Sequence, residues 1–103
     1  MIENPEEIIL TASDVGKIHQ IKKNGYITID LDVKNHDKAI WRHEIDGNFY
    51  YSKSIKTISE NCCKVIYIIQ ILKEKSTLAF TLCNKLDLCK TIYDRIIFEV
   101  EAK

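Results

Sequence analysis

The chain has 103 residues, of which 46% are hydrophobic and 29% are charged, and its fifteen basic and fifteen acidic side chains leave no formal net charge. This length suits one hydrophobic core, so we expect a single β-sandwich domain that spans residues 1–103. Zero net charge argues against binding to nucleic acid or to an anionic membrane, because both need a basic surface. We therefore expect the partner to be another protein or a small molecule.

The N-terminal segment MIENPEEIIL is acidic and is interrupted by Pro5. A signal peptide has the opposite character, with basic first residues that lead into an apolar run. The sequence also lacks the run of about 18 apolar residues that a transmembrane helix requires. We expect a cytoplasmic protein, or one from which a leader has already been removed.

Alternation of apolar and polar residues with a period of two predicts β-strands along the chain. The clearest example is GYITIDLDV, in which every second residue is apolar. The segment KVIYIIQIL is apolar on both faces and rich in β-branched residues, which is typical of a covered central strand. One helical turn is possible in the segment 84–95. The predicted strands cover residues 7–12, 17–22, 25–33, 40–45, 49–56, 64–72, 76–83 and 92–101.

Turn residues separate these segments. Asn24–Gly25 and Asp46–Gly47 are dipeptides that tolerate the positive φ angles of tight hairpin turns, and a further turn ends at Gly16. Short strands at regular spacing with turns between them predict an all-β sandwich or barrel. Trp41, the only tryptophan, is interpreted as a core residue in preference to an aromatic contact beside the loop at 34–39.

Motifs that carry catalytic chemistry are missing from the sequence. It contains no G-x-S-x-G, no phosphate-binding glycine loop and no H-E-x-x-H. Pairs of a cysteine with His19, His36 or His43 can be drawn, but no residue is indicated that would orient them. We expect no enzymatic activity, no cofactor and no metal.

The four cysteines are Cys62, Cys63, Cys83 and Cys89. The two adjacent cysteines cannot easily pair, and the spacings do not match those of a zinc site. Five residues separate Cys83 from Cys89, so a disulfide that closes a loop is possible. We favour four reduced thiols in a reducing compartment.

The segment IILTASDVGKIHQIKKNGYITIDLDV resembles the opening of the chagasin-type cysteine protease inhibitors in its order of strands and glycine turns. The hairpin STLAFTLC and the final strand RIIFEVEAK are similar to the closing section of that family. The resemblance extends from about residue 8 to residue 101. It implies an immunoglobulin-like β-sandwich of seven to eight short antiparallel strands.

The resemblance also implies a function, the inhibition of papain-like cysteine proteases by three adjacent loops that enter the active-site cleft. We call these the first loop (34–39), the second loop (57–63) and the third loop (84–91). The sequence departs from the family in all three: KNHDK replaces N-P-T-T-G, SENCC contains no glycine, and NKL replaces R-P-W. The implied partner-binding residues are Asn35, His36, Asp37, Lys38, Glu60, Asn61, Cys62, Asn84, Lys85 and Leu86.

Two other hypotheses remain open at this point. The same sandwich could be a non-inhibitory adaptor domain that binds some other protein. It could also pair through its edge strands, with Tyr51 or Ile97 at the contact. We accordingly expect a monomer or a weak dimer.

Overall fold

A computed structural model describes residues 6–34, 37–45, 48–60 and 62–103. This part of the chain forms β1 (Glu7–Thr11), β2 (Ile18–Ile21), β3 (Tyr26–Lys34), β4 (Ala39–Glu44), β5 (Phe49–Ser59), β6 (Cys62–Gln70), β7 (Lys75–Asn84) and β8 (Ile92–Ala102). Single 3₁₀ turns follow β1 at Ala12–Asp14 and β7 at Lys85–Asp87. Each predicted strand matches an observed one, and the helical turn considered in 84–95 is the second 3₁₀ turn. No helix in these ranges is long and apolar enough to cross a membrane.

The strands form two four-stranded sheets that face each other. The first sheet has the order β1-β3-β6-β5 and the second has the order β2-β8-β7-β4. The predicted sandwich is therefore confirmed. Two pairings, β1 with β3 and β2 with β8, are parallel, whereas the expectation was an antiparallel arrangement. After β1 the chain crosses to the second sheet, where it forms β2, and then returns to the first sheet as β3. The chain reverses its direction at each crossing, so β3 runs parallel to β1.

The Asn24–Gly25 dipeptide makes a tight turn but not the predicted hairpin, because β2 and β3 belong to different sheets. Asn24 has a φ of 68°, and the Gly25 amide donates to the Lys22 carbonyl at 2.9 Å. A Cβ atom on Gly25 would lie 2.8 Å from the Ile21 side chain, so close packing requires glycine here. Asp46–Gly47, for which a hairpin turn was also predicted, lies outside the described residues. The strands before and after it, β4 and β5, belong to different sheets.

The core lies between the two sheets. The alternating apolar residues predicted for β3 all face inward, and β6 contributes every second residue in the same way. Trp41 is buried, as predicted, and its Nε1 donates to the Asp32 carbonyl at 3.1 Å. The hydroxyl of Tyr67 in turn donates to the Trp41 carbonyl at 3.2 Å. These bonds connect the two sheets directly beneath the first loop. The largest fully buried side chains are Tyr67, Phe80, Phe98, Ile21, Ile27, Ile29, Leu31, Ile69, Ile71, Leu78, Val100 and Cys83.

Candidate functional site

The strand register brings the three loops to one end of the sandwich. In the first sheet, Lys34 at the end of β3 pairs with Cys62 at the start of β6. The first loop therefore begins beside the end of the second loop. The second loop is shorter than the predicted 57–63, because β5 extends to Ser59 and β6 begins at Cys62. In the second sheet, Ala39 pairs with Asn84, so the first loop returns beside the third. The Lys85 amide donates to the Lys38 carbonyl at 2.8 Å and joins these two loops directly.

The predicted partner-binding residues differ in their exposure. Of the ten, Asn35, His36 and Asn61 lie outside the described residues. Cys62 and Asn84 are half-buried, and the side chain of Leu86 is 68% exposed. The charged members, Asp37, Lys38, Glu60 and Lys85, are exposed.

Asn84 shapes the third loop from within. Its carbonyl accepts the Cys89 amide at 2.8 Å, and its side-chain oxygen accepts the Leu86 amide at 2.9 Å. Its own amide donates to the Thr91 carbonyl at 2.9 Å, which closes the base of the loop. These internal contacts give Asn84 a structural role in the loop, and its contact with a partner, which the family resemblance implies, stays a prediction.

Asp87 holds the other half of the third loop. Its carboxylate accepts the Thr91 hydroxyl at 2.6 Å and the Lys90 amide at 3.0 Å. The hydrogen bond from the Thr91 side chain lowers the pKa of Asp87 below its ordinary value of 3.8. Desolvation opposes this shift, and the backbone amides of Thr91 and Lys90 add to the lowering. The carboxylate is therefore ionised at neutral pH and directed into its own loop.

A disulfide between Cys83 and Cys89 closes the third loop. The expectation of four reduced thiols is wrong for this pair, whereas Cys62 and Cys63 are free. Left-handed backbone at Leu88 and Cys89, with φ angles of 59° and 63°, turns the chain back toward β7. This reversal brings the two cysteine Cα atoms to 4.9 Å, which is within disulfide range. The expectation of reduced thiols was based on the spacing of the cysteines and on a reducing compartment, and neither reveals this local backbone geometry.

Large apolar side chains are exposed along the third loop and the start of β8. Leu88 is 84% exposed, and Leu86, Ile92 and Tyr93 are each more than half exposed. Sequence reasoning selected only Leu86 from this group. The signal that it missed is the pair of leucines flanking Asp87 in a turn segment, where polar residues and glycine are more usual.

A Cys–His nucleophile pair is not available beside His43. A cavity of about 590 Å³ brings His43 together with Cys83 and Cys89, but the disulfide consumes both thiols. Burial, with a smaller contribution from the Lys53 charge, lowers the pKa of His43 below 6.5. Within the described ranges, no group of three or more histidine, cysteine or acidic side chains is placed to hold a metal ion. The arrangement at the loop end is suited to contact with a partner.

Solved structures with the same fold include two small proteins. One is a cysteine protease inhibitor, EhICP2, from Entamoeba histolytica, with a TM-score of 0.81 and 16% sequence identity, covering 98% of this chain and 99% of the other. The second is amebosin, with a TM-score of 0.74 and 13% identity over 97% of this chain and 100% of the other. No family model and no curated protein matches the sequence. The resemblance to the chagasin-type family is thereby confirmed for the fold.

Proposed function

We propose that this protein inhibits papain-like cysteine proteases by placing its three loops in the active-site cleft. The observation that carries the proposal is the gathering of the loops at one end of the sandwich, through the pairs Lys34–Cys62 and Ala39–Asn84. The likeness in fold to a cysteine protease inhibitor adds independent support.

Inhibition of this kind needs shape and no catalytic group. A specific interface buries about 800 Å² on each partner, and loops that are already ordered lose less conformational freedom on binding. The third loop meets this requirement through the Cys83–Cys89 disulfide and the internal bonds of Asn84 and Asp87. Peptides commonly bind in an extended conformation, with their backbone paired along an edge of the binding protein. The disulfide and the internal hydrogen bonds prevent the third loop from adopting that conformation, so we expect the protease to cleave it poorly.

The exposed charges around the loops indicate which charge the rim of the partner's cleft should carry. Four lysines are exposed at this end, Lys34, Lys38, Lys85 and Lys90, and they outnumber the two exposed acidic residues, Asp37 and Glu60. The Asp87 carboxylate is directed into its own loop. Such a surface favours a protease whose cleft has an acidic rim. Since exposed charges accelerate association mainly at low ionic strength, added salt should slow binding.

The direct test mixes the purified protein with papain and a fluorogenic peptide. We expect competitive inhibition, so that the apparent inhibition constant rises with substrate concentration. The variant Lys38→Glu/Lys85→Glu should inhibit more weakly. Its matched control, Lys23→Glu/Lys75→Glu, reverses two charges at the opposite end and should inhibit like the unmodified protein. An unchanged rate at micromolar concentrations of the unmodified protein would rule out general inhibition of this class.

A second candidate is a non-inhibitory binding domain on the same scaffold. The observation in its favour is the replacement of all three loop motifs, including a charged first loop that is costly to desolvate. The two candidates differ in what the protein retains from its native lysate. The inhibitor should retain a cysteine protease, and the binding domain should retain some other protein while papain stays active.

A further inference from the structure

Leu88 combines two features that do not favour folding. Its backbone lies in the left-handed region, with a φ of 59°, where glycine and asparagine are the usual residues. Its side chain is 84% exposed and is therefore largely excluded from the hydrophobic stabilisation that burial provides. A leucine at this position is thus a poor choice for the stability of the loop.

The surrounding residues hold Leu88 in a fixed position. On one side Asp87 is bonded to Lys90 and Thr91, and on the other Cys89 is tied to Cys83. The bond from the Lys85 amide to the Lys38 carbonyl joins the loop to the first loop. Leu86, two residues earlier, is 68% exposed on the same turn. The structure thus presents two leucine side chains to solvent on a turn fixed by a disulfide and hydrogen bonds.

We infer that Leu88, supported by Leu86, is an apolar anchor that enters a side-chain pocket in the cleft of the target protease. This inference rests on the proposed function and adds the chemistry of the partner, which is a pocket shaped for a branched aliphatic group. Anchors that fill pockets at the centre of an interface provide most of its binding energy. Proteases whose cleft offers only a polar or charged pocket should bind this protein weakly, because leucine would leave those groups unpaired.

The test compares Leu88→Asn with the unmodified protein in the papain assay and in urea unfolding. Asparagine tolerates left-handed backbone, so the unfolding midpoint should stay the same or rise. The inhibition constant should increase by about 30-fold or more, as expected for an interface hot spot. Leu88→Met, which keeps the volume and apolar character, should retain most of the inhibition.

The matched control is Ile9→Thr, which removes another highly exposed apolar side chain, 71% exposed, from β1. It should leave inhibition unchanged. If Leu88→Asn inhibits like the unmodified protein, the inference is overturned while the proposed function stands. A fall in the unfolding midpoint of Leu88→Asn would also overturn it, because Leu88 would then have a structural role. If the unmodified protein inhibits no papain-like protease, the proposed function fails and the inference fails with it.

Discussion

At the residue scale, Asn48 is a buried polar side chain whose hydrogen bonds no apolar residue could make. Its Nδ2 donates to the Ile45 carbonyl and to the Ser76 hydroxyl, each at 2.9 Å. Its Oδ1 accepts the amides of Leu72 and Lys73 at 2.8 and 3.2 Å. One amide group thus connects the segment between β4 and β5 to the turn between β6 and β7.

We predict that Asn48→Ala lowers the free energy of unfolding by about 2–4 kcal/mol, because several groups lose their partner at once. Ser76→Ala removes a single contact of the same network and should cost about 1 kcal/mol. Urea unfolding of both variants measures the difference. Equal losses would show that Asn48 does not organise the network.

His43 makes stability depend on pH. Burial, and then the Lys53 charge, lowers its pKa in the folded protein below the ordinary 6.5. Between these two pKa values the unfolded chain binds more protons than the folded one, so stability rises with pH across that window. We expect the urea midpoint to fall as the pH is lowered from 7 through 6.5, and His43→Gln to reduce this fall. An NMR titration midpoint of His43 at or above 6.5 would contradict the account.

At the element scale, strands such as β3 and β6 were predictable because every second side chain in them is buried. The alternation in β3 reports directly which side chains face the core, and residues 65–69, which are apolar on both faces of β6, agree with the central position of that strand in its sheet. The expectation of a strand covered on both faces is wrong, because every second side chain of β6 is only half-buried in this two-layer sandwich. The assignment of strands to sheets was not predictable in this way. Asn24–Gly25 has the composition of a hairpin turn, but it joins strands of different sheets. Local turn chemistry specifies a reversal of the chain, and tertiary packing decides which sheet receives the next strand.

The third loop yields a prediction about the disulfide. Closing a loop of this length restricts the unfolded chain and is worth about 2 kcal/mol of stability in the chain-entropy model. Reduction of Cys83–Cys89 with dithiothreitol should therefore lower the unfolding free energy by about that amount and weaken inhibition, since the loop loses its fixed shape. Cys62→Ser, which affects a free thiol, should show the same response to the reductant. Unfolding curves that coincide with and without reductant would contradict this prediction.

At the scale of the whole molecule, the candidate site is a consequence of topology. The three loops are separated along the chain, and they meet because β3 pairs with β6 and β4 pairs with β7. The sequence alone does not contain these pairings, so only the family resemblance suggested that the loops were adjacent. The exposure of Leu88 was not predictable for a related reason. It depends on the left-handed backbone of the turn, which the pattern of apolar and polar residues along the sequence does not reveal.

The oligomeric state is a further property of the whole molecule. The hypothesis of edge pairing named Tyr51, whose side chain lies outside the described residues, and Ile97, which is partly exposed on β8. The edge strand β5 carries Lys53 and Lys56, and charges on an edge disfavour pairing with a second chain. We expect light scattering to give a mass close to 12.0 kDa at low concentration. A mass of twice that value, independent of concentration, would establish a stable dimer.

The central claim is that the loop end of the sandwich is the surface that contacts a protease. Amide hydrogen exchange of the protein, alone and saturated with papain, tests this claim most directly. The account predicts new protection at residues 37–38, 60 and 84–91 and unchanged exchange at the opposite end, around 22–25 and 71–75. Protection at the opposite end or along the outer face of either sheet, with the loops unaffected, would contradict it.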